Sequence, residues 1–224
     1  MKQKAIVLAA VMALFAVAPA AVAAPPGNWS FSATSVQASF ALGSGSLSIG
    51  ADNYSEIFEG ETFEGSGAWL DYYEESQTGF TYCFGWTEVG PNIDARLSNG
   101  SLEATFEGTC SVEEFGEEPP GEEGGFAAAH EENGEGGGIE VPLTASVSLI
   151  WDGTGLVLRS SGHSTGPGDV CKYNDASRQA TATGSIELTA GEILDVNLAS
   201  AVSEYASLLR YESSCHAKGS PGAG

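Results

Sequence analysis

Positive charge is what this sequence has least of. Eight Lys and Arg stand against 30 Asp and Glu in 224 residues, a formal net charge of −22. Two of the eight, Lys2 and Lys4, fall in the first two dozen residues, which contain no acid, so the remainder is more acidic still. Binding a phosphate backbone needs cations that release counterions, which excludes nucleic acid as a partner. Docking on anionic membrane surfaces is disfavoured on the same ground. Histidine is scarce too, and neither His at ligand spacing nor a Cys-x-x-Cys is present, so no metal or cofactor is expected. Hydrophobic residues, at 42%, suffice for a packed core.

The amino terminus has the layout of an export signal. Met1-Lys2-Gln3-Lys4 is a short basic region, Ala5 to Val17 is an unbroken apolar run, and Ala21-Val22-Ala23 offers a small-x-small cleavage pattern. The apolar run is shorter than the ~20 residues of a membrane-spanning helix. The expectation is a signal peptide over 1–23, a mature domain over 24–224, and a secreted, extracellular location. The tail Lys218-Gly-Ser-Pro-Gly-Ala-Gly224 has no hydrophobic stretch for a membrane anchor.

Export makes the cysteines legible as a disulfide set. Cys83, Cys110, Cys171 and Cys215 allow three pairings. Locality favours Cys83–Cys110 and Cys171–Cys215, each closing within one half of the chain.

Period-two alternation runs through the body. Val141, Leu143, Ala145, Val147, Leu149 and Trp151 alternate with Thr144, Ser146 and Ser148, which marks a strand with one buried face. Asp152-Gly-Thr-Gly155 is expected to reverse the chain, with Leu156 and Leu158 opening the return strand. Asn99-Gly100 is expected at the centre of a hairpin between Ile93–Leu97 and Leu102–Phe106. A further strand is predicted over Ala180–Thr189. Trp29-Phe31 and Val36-Ala38-Phe40-Leu42 are apolar in opposite phases, which predicts a bulge or bend. The one helical candidate is Ile193–Leu209, where Leu194, Leu198, Val202, Tyr205 and Leu209 fit a 3.6 period; its last part reads equally as a closing strand into Cys215. Together these predict an all-β fold, a single antiparallel β-sandwich or barrel with two disulfides.

The segment 113–140 differs in kind. It holds ten Glu, Pro119-Pro120 and repeated Gly around Phe126-Ala-Ala-Ala129. Such composition does not offset the entropy lost on ordering, so a disordered acidic insertion is expected there. Weak, diffuse calcium binding is its functional alternative, although a calcium loop would carry Asp/Asn at alternating positions.

Catalytic patterns are weak. Gly162-His163-Ser164-Thr165-Gly166 matches the Gly-x-Ser-x-Gly of serine hydrolases, a motif that works on a strand-to-helix turn. Pro167-Gly168 follows it in an all-β context. Paired carboxylates such as Glu74-Glu75 and Glu56/Glu59/Glu61/Glu64 are numerous, but nothing distinguishes a glycosidase pair among them. No catalytic residue is assigned. The stronger candidate is aromatic: Phe80, Tyr82, Phe84 and Trp86 share one face of a strand whose other face carries Cys83. If Cys83 points inward to Cys110, the four rings face away from the core and form a platform for sugar rings or a partner. The competing reading is that they cover a second core layer.

Leu149-Ile-Trp151, Gly153-Thr-Gly155, Arg159, Asn174, Ser177-Arg178 and Ala180-Thr-Ala-Thr-Gly184 together resemble a family of small exported bacterial β-rich proteins. Asp152 stands where members carry Thr. The resemblance implies an exported β domain and no activity. The functional expectation is a non-enzymatic exported protein with a binding or envelope-structural role; the alternative is a carbohydrate-binding or carbohydrate-active protein. An extracellular glycan or protein is the expected kind of partner.

Overall fold

The computed structural model describes residues 28–114, 139–166 and 169–217. Among them are eleven strands and no helix: β1 (Trp29–Leu42), β2 (Gly45–Phe58), β3 (Glu61–Glu75), β4 (Gly79–Thr87), β5 (Asn92–Ile93), β6 (Asn99–Glu114), β7 (Ile139–Gly153), β8 (Leu158–Thr165), β9 (Asp169–Ala190), β10 (Leu194–Val202) and β11 (Tyr205–Ala217). Every pairing is antiparallel. β1 to β4 pair in chain order, then β4 with β6, β6 with β7, β7 with β9 and β9 with β11. β11 returns to β1, so the ladder closes through eight strands. Of the two architectures the sequence allowed, this is the barrel.

An eight-stranded barrel is just wide enough for side chains to fill. Phe40, Leu47, Leu70, Phe106, Leu143, Leu149, Trp151, Ile186 and Leu188 fill this one. The Trp151 indole crosses the interior and donates to the Gln37 carbonyl at 3.0 Å. Between these positions Glu103, Thr105, Glu107, Thr144, Ser146 and Ser148 are exposed. On β6 and β7 the face opposite the core is therefore mostly polar.

The strands β1, β2, β3, β8, β9 and β11 run on past this closed tier. Residues 61–67 of β3 have no partner beyond β2, and β8 pairs only β9. The sheet there forms an open tier, a curved wall with a gap between β3 and β8. In this tier the polarity switches. Ser30, Ser32 and Thr34 continue the inward face of Val36 and Ala38, while Trp29 and Phe31 point outward. The phase change in the sequence is therefore no bulge: β1 pairs β2 without interruption from Trp29 to Leu42, and the apolar face moves from the outside of the wall to the inside.

Three other expectations are corrected. Asp152-Gly-Thr-Gly155 does not reverse the chain; β7 and β8 lie one after the other along the same side of β9, separated by residues 154–157. Asn99-Gly100 opens β6, and the turn lies earlier, at 94–98, where Asp94 accepts from the Ser98 N–H and Leu97 takes φ +56°. Ile193–Leu209 contains no helix but β10 and β11. A register shift between Leu198 and Ala201 inserts one residue; of the residues that fitted the helical period, Leu194 is buried and Leu198 half-buried, while Val202, Tyr205 and Leu209 are exposed. The alternative, a closing strand into Cys215, is what β11 is.

Of the insertion expected at 113–140, Glu113 and Glu114 end β6, and Ile139 and Glu140 open β7. The rest of that expectation, with its calcium alternative, and the signal peptide over 1–23 lie outside the described residues.

Both disulfides follow locality. Cys83–Cys110 joins directly opposed residues of β4 and β6 inside the barrel, and Cys171–Cys215 joins β9 to β11. The loops they close span 27 and 44 residues, worth about 3.6 and about 4 kcal/mol in the chain-entropy account. Replacing Cys83 and Cys110 together by Ala should lower the melting temperature by about 10 °C, measured by circular dichroism. A change within error would show that this bridge does not constrain the unfolded chain.

Candidate functional site

β3 and β4 pair Trp69 with Trp86, Asp71 with Phe84, Tyr73 with Tyr82 and Glu75 with Phe80. Directly opposed residues share a face, so these eight side chains lie together. The other face carries Leu70, Tyr72 and Cys83, all buried. The inward bridge to Cys110 thus fixes the aromatic row outward. Tyr82, Phe84 and Trp86 are 41%, 44% and 49% exposed, and Phe80 is half-buried against Tyr73, ring centroids 6.2 Å apart. These rings do not form a second core layer.

The platform is wider than β4 alone. Tyr73 is exposed on β3, and the Trp69 indole lies over Gly50 of β2, where a Cβ would collide with the ring. The Trp86 indole rests along Gly67 in the same manner. Glycine leaves the sheet flat beneath each indole, so both rings lie along it. On the same outer face Tyr54 lies over Gly65, and Phe31 stacks between Trp29 and Tyr54 at 6.3 and 6.4 Å, with Tyr211 at 6.0 Å. The two groups meet along β3 at Gly65 and Gly67.

Asp71 sits amid the first group, between Trp69 and Tyr73 along β3 and opposite Phe84. Burial pushes its carboxyl up to about 6. The Tyr82 phenol is also raised, by burial first and then by the Asp71 charge. A carboxylate framed by rings offers acceptor oxygens to hydroxyl donors, while the rings offer apolar faces.

The other sequence candidates have structural partners. Glu56 accepts from the Trp29 indole at 2.6 Å, and Glu74 from the Tyr72 hydroxyl at 2.7 Å and from Ser44. Ser164 lies within β8, opposite Cys171, and its neighbour His163 occupies the other face of that strand. The chain runs on as strand through Ser164, so the turn a nucleophilic serine requires is not made there. Among the described residues no group of three or more His, Cys, Asp and Glu is arranged to hold a metal ion.

Sequence reasoning put Phe80, Tyr82, Phe84 and Trp86 on one face and left open whether it is core or surface, and it missed the Trp29–Phe31–Tyr54–Tyr211 group, which three strands assemble. Only the phase change at residues 29–36 hinted at it. Compared with known protein families, characterised proteins and solved structures, the chain matches none.

The raised Asp71 carboxyl has a definite linkage sign. A carboxyl held above its unfolded value, near 4, adds stability that is complete below that value and lost as pH rises through about 6. Asp71→Asn should therefore melt higher than the parent at pH 7.5, by about 2 °C, and equal it near pH 4. Equal melting temperatures at both pH values would show that burial does not penalise this carboxylate.

Proposed function

We propose that the protein is exported and acts without catalysis, binding glycan through the outer aromatic face of β3 and β4. The observation that carries this reading is the exposure of Tyr82, Phe84 and Trp86 in one row, widened by Trp69 and Tyr73. A row so large and open is unusual unless it meets something. Asp71 favours a sugar over an apolar protein surface. Covering a carboxylate with apolar atoms is costly, whereas a pyranose presents hydroxyl donors at its edge and a C–H face to the rings. Export rests on the leader pattern and on two closed disulfides, which persist in oxidising compartments.

Affinity electrophoresis of the mature chain through gels carrying soluble neutral polysaccharides tests the reading. At least one glucan, mannan or xylan should retard it. Phe84→Ala and Trp86→Ala should each weaken retention about tenfold, a loss of about 1.4 kcal/mol per ring, with no change in melting temperature. Migration unaffected by every polysaccharide, or retention that survives the double substitution, would overturn it.

A further inference from the structure

From Phe63 to Tyr73, β3 turns alternate residues outward: Phe63, Gly65, Gly67, Trp69, Asp71 and Tyr73. The run pairs β2 without a bulge and spans about 33 Å at the rise of an extended strand. Rings gather at both of its ends, and glycine carries the middle. The Tyr54 ring lies over Gly65 and the Trp86 indole along Gly67. Those glycines are two residues apart, about 7 Å, which is still within the range of neighbouring rings. The two aromatic groups are therefore consecutive parts of one surface. Phe63, 51% exposed, extends its far end; it opposes Glu56 from one side as Phe31 does from the other.

Two carboxylates stand within this surface. Asp71 lies in the first group. Asp52 of β2 opposes Gly67, between Tyr54 and the Gly50 that the Trp69 indole covers. Burial raises the Asp52 carboxyl, as it does that of Asp71. Asp71 opposes Ser48, so the two backbone positions are one strand and four residues apart, about 14 Å. That exceeds the about 5–9.5 Å of a glycosidase pair. They serve as separate acceptors along the run.

The charge of the face selects what can cover it. β1 to β4 and β6 contain no Lys or Arg. The border on β6 adds Glu107 opposite Trp86 and Glu113 opposite Phe80. An anionic glycan would meet only repulsion here, and an apolar protein surface would bury two carboxylates without donors. A neutral sugar brings hydroxyl donors to the carboxylates and C–H faces to the rings. One pyranose is about the size of one aromatic side chain, so a surface this long matches a chain of sugars.

We propose that the outer face is one track along β3 that binds a linear neutral polysaccharide lengthwise, with Tyr54 and Phe63 holding sugar rings beyond those that stack on β4. This rests on the glycan reading above and adds the length and shape of the ligand.

Calorimetric titration of the mature chain with cellobiose, mannobiose and xylobiose, and with the corresponding hexaoses, tests the proposal. At least one hexaose should bind about tenfold tighter than its biose. Tyr54→Ala and Phe63→Ala should each weaken hexaose binding about three- to tenfold while melting at the parent temperature. Ile150→Ala, at an exposed apolar residue of β7 outside the track, should leave it unchanged. A hexaose bound no tighter than its biose, or bound equally by the parent and the Tyr54→Ala/Phe63→Ala double variant, would overturn the track; a loss caused by Trp86→Ala would then leave the β4 platform standing. Retardation in the polysaccharide gels without binding of any hexaose would also overturn the track alone. No binding in either experiment would overturn both readings.

Discussion

The ladder between β1 and β11 is the contact on which the rest of the structure depends. It pairs Trp29 with Cys215 at one end and Ser39 with Tyr205 at the other, joining the two ends of the described chain. Without it the sheet would have two long free edges and the core would open along one side. The pairing brings together residues nearly the whole chain apart, so its loop-closure entropy must be met before its contacts form, which is the condition for slow folding. Cys171–Cys215 sits at the Trp29 end of this ladder and ties β11 to β9. Cys83–Cys110, on the far side, holds together two strands that the ring also needs. The bridges brace the wall on either side of the seam.

The second constraint is the change of polarity along strands that do not bend. In the closed tier the alternation serves packing: apolar side chains fill the interior, while outside β6 and β7 present polar residues to water and β3 and β4 present the aromatic row. In the open tier the same two-residue period places Trp29, Phe31, Tyr54 and Tyr211 outside and Ser30, Ser32 and Asn53 inside. An interior lined by hydroxyls cannot be a core, because each buried hydroxyl would need a partner. It is a place for water and solutes. The segment 88–98 separates the two regimes, and Arg178 secures it by taking two main-chain carbonyls, a role different from the carboxylate pairing that a scarce arginine in an acidic chain suggests.

Much of the fold was legible because alternation is a local property. β6, β7 and the later half of β9 were readable from their own residues, as was the disulfide pairing; that Phe80, Tyr82, Phe84 and Trp86 share a face was readable too, but whether that face is core or surface was not. The errors arose where one extra residue, or a long-range choice, decided the outcome. Exposed Val202, Tyr205 and Leu209, spread over two strands either side of a turn, and one added residue between Leu198 and Ala201 together gave Ile193–Leu209 a helical period. Asp152–Gly155 has the composition of a reversal, yet β9 offers a continuous edge along which β7 and β8 both pair. Asn-Gly is a strong turn signal, but Asp94, five residues before Asn99, caps an earlier turn by accepting from the Ser98 N–H. The charged groups of the open tier were invisible for a different reason. Arg159, His163 and Lys172 are ordinary in sequence, and only the register of β8 against β9 sets His163 beside Lys172, with Arg159 four residues along the same face.

Charge differs between the two faces of the same strands. The outer rings lie in the field of a strongly acidic chain, with Asp71 among them, so an anion approaching there meets repulsion and a neutral sugar does not. On the inner face of the open tier the charges are mixed: Glu212 is paired with Arg210, and Lys172 and Arg159 stand four ladder positions apart. Fields fall off over about 8–10 Å in physiological salt, so each of these charges acts on its own neighbourhood. Because successive residues of a strand face opposite ways, one run of sequence sets both environments, an aromatic one outside and a polar, mixed-charge one inside.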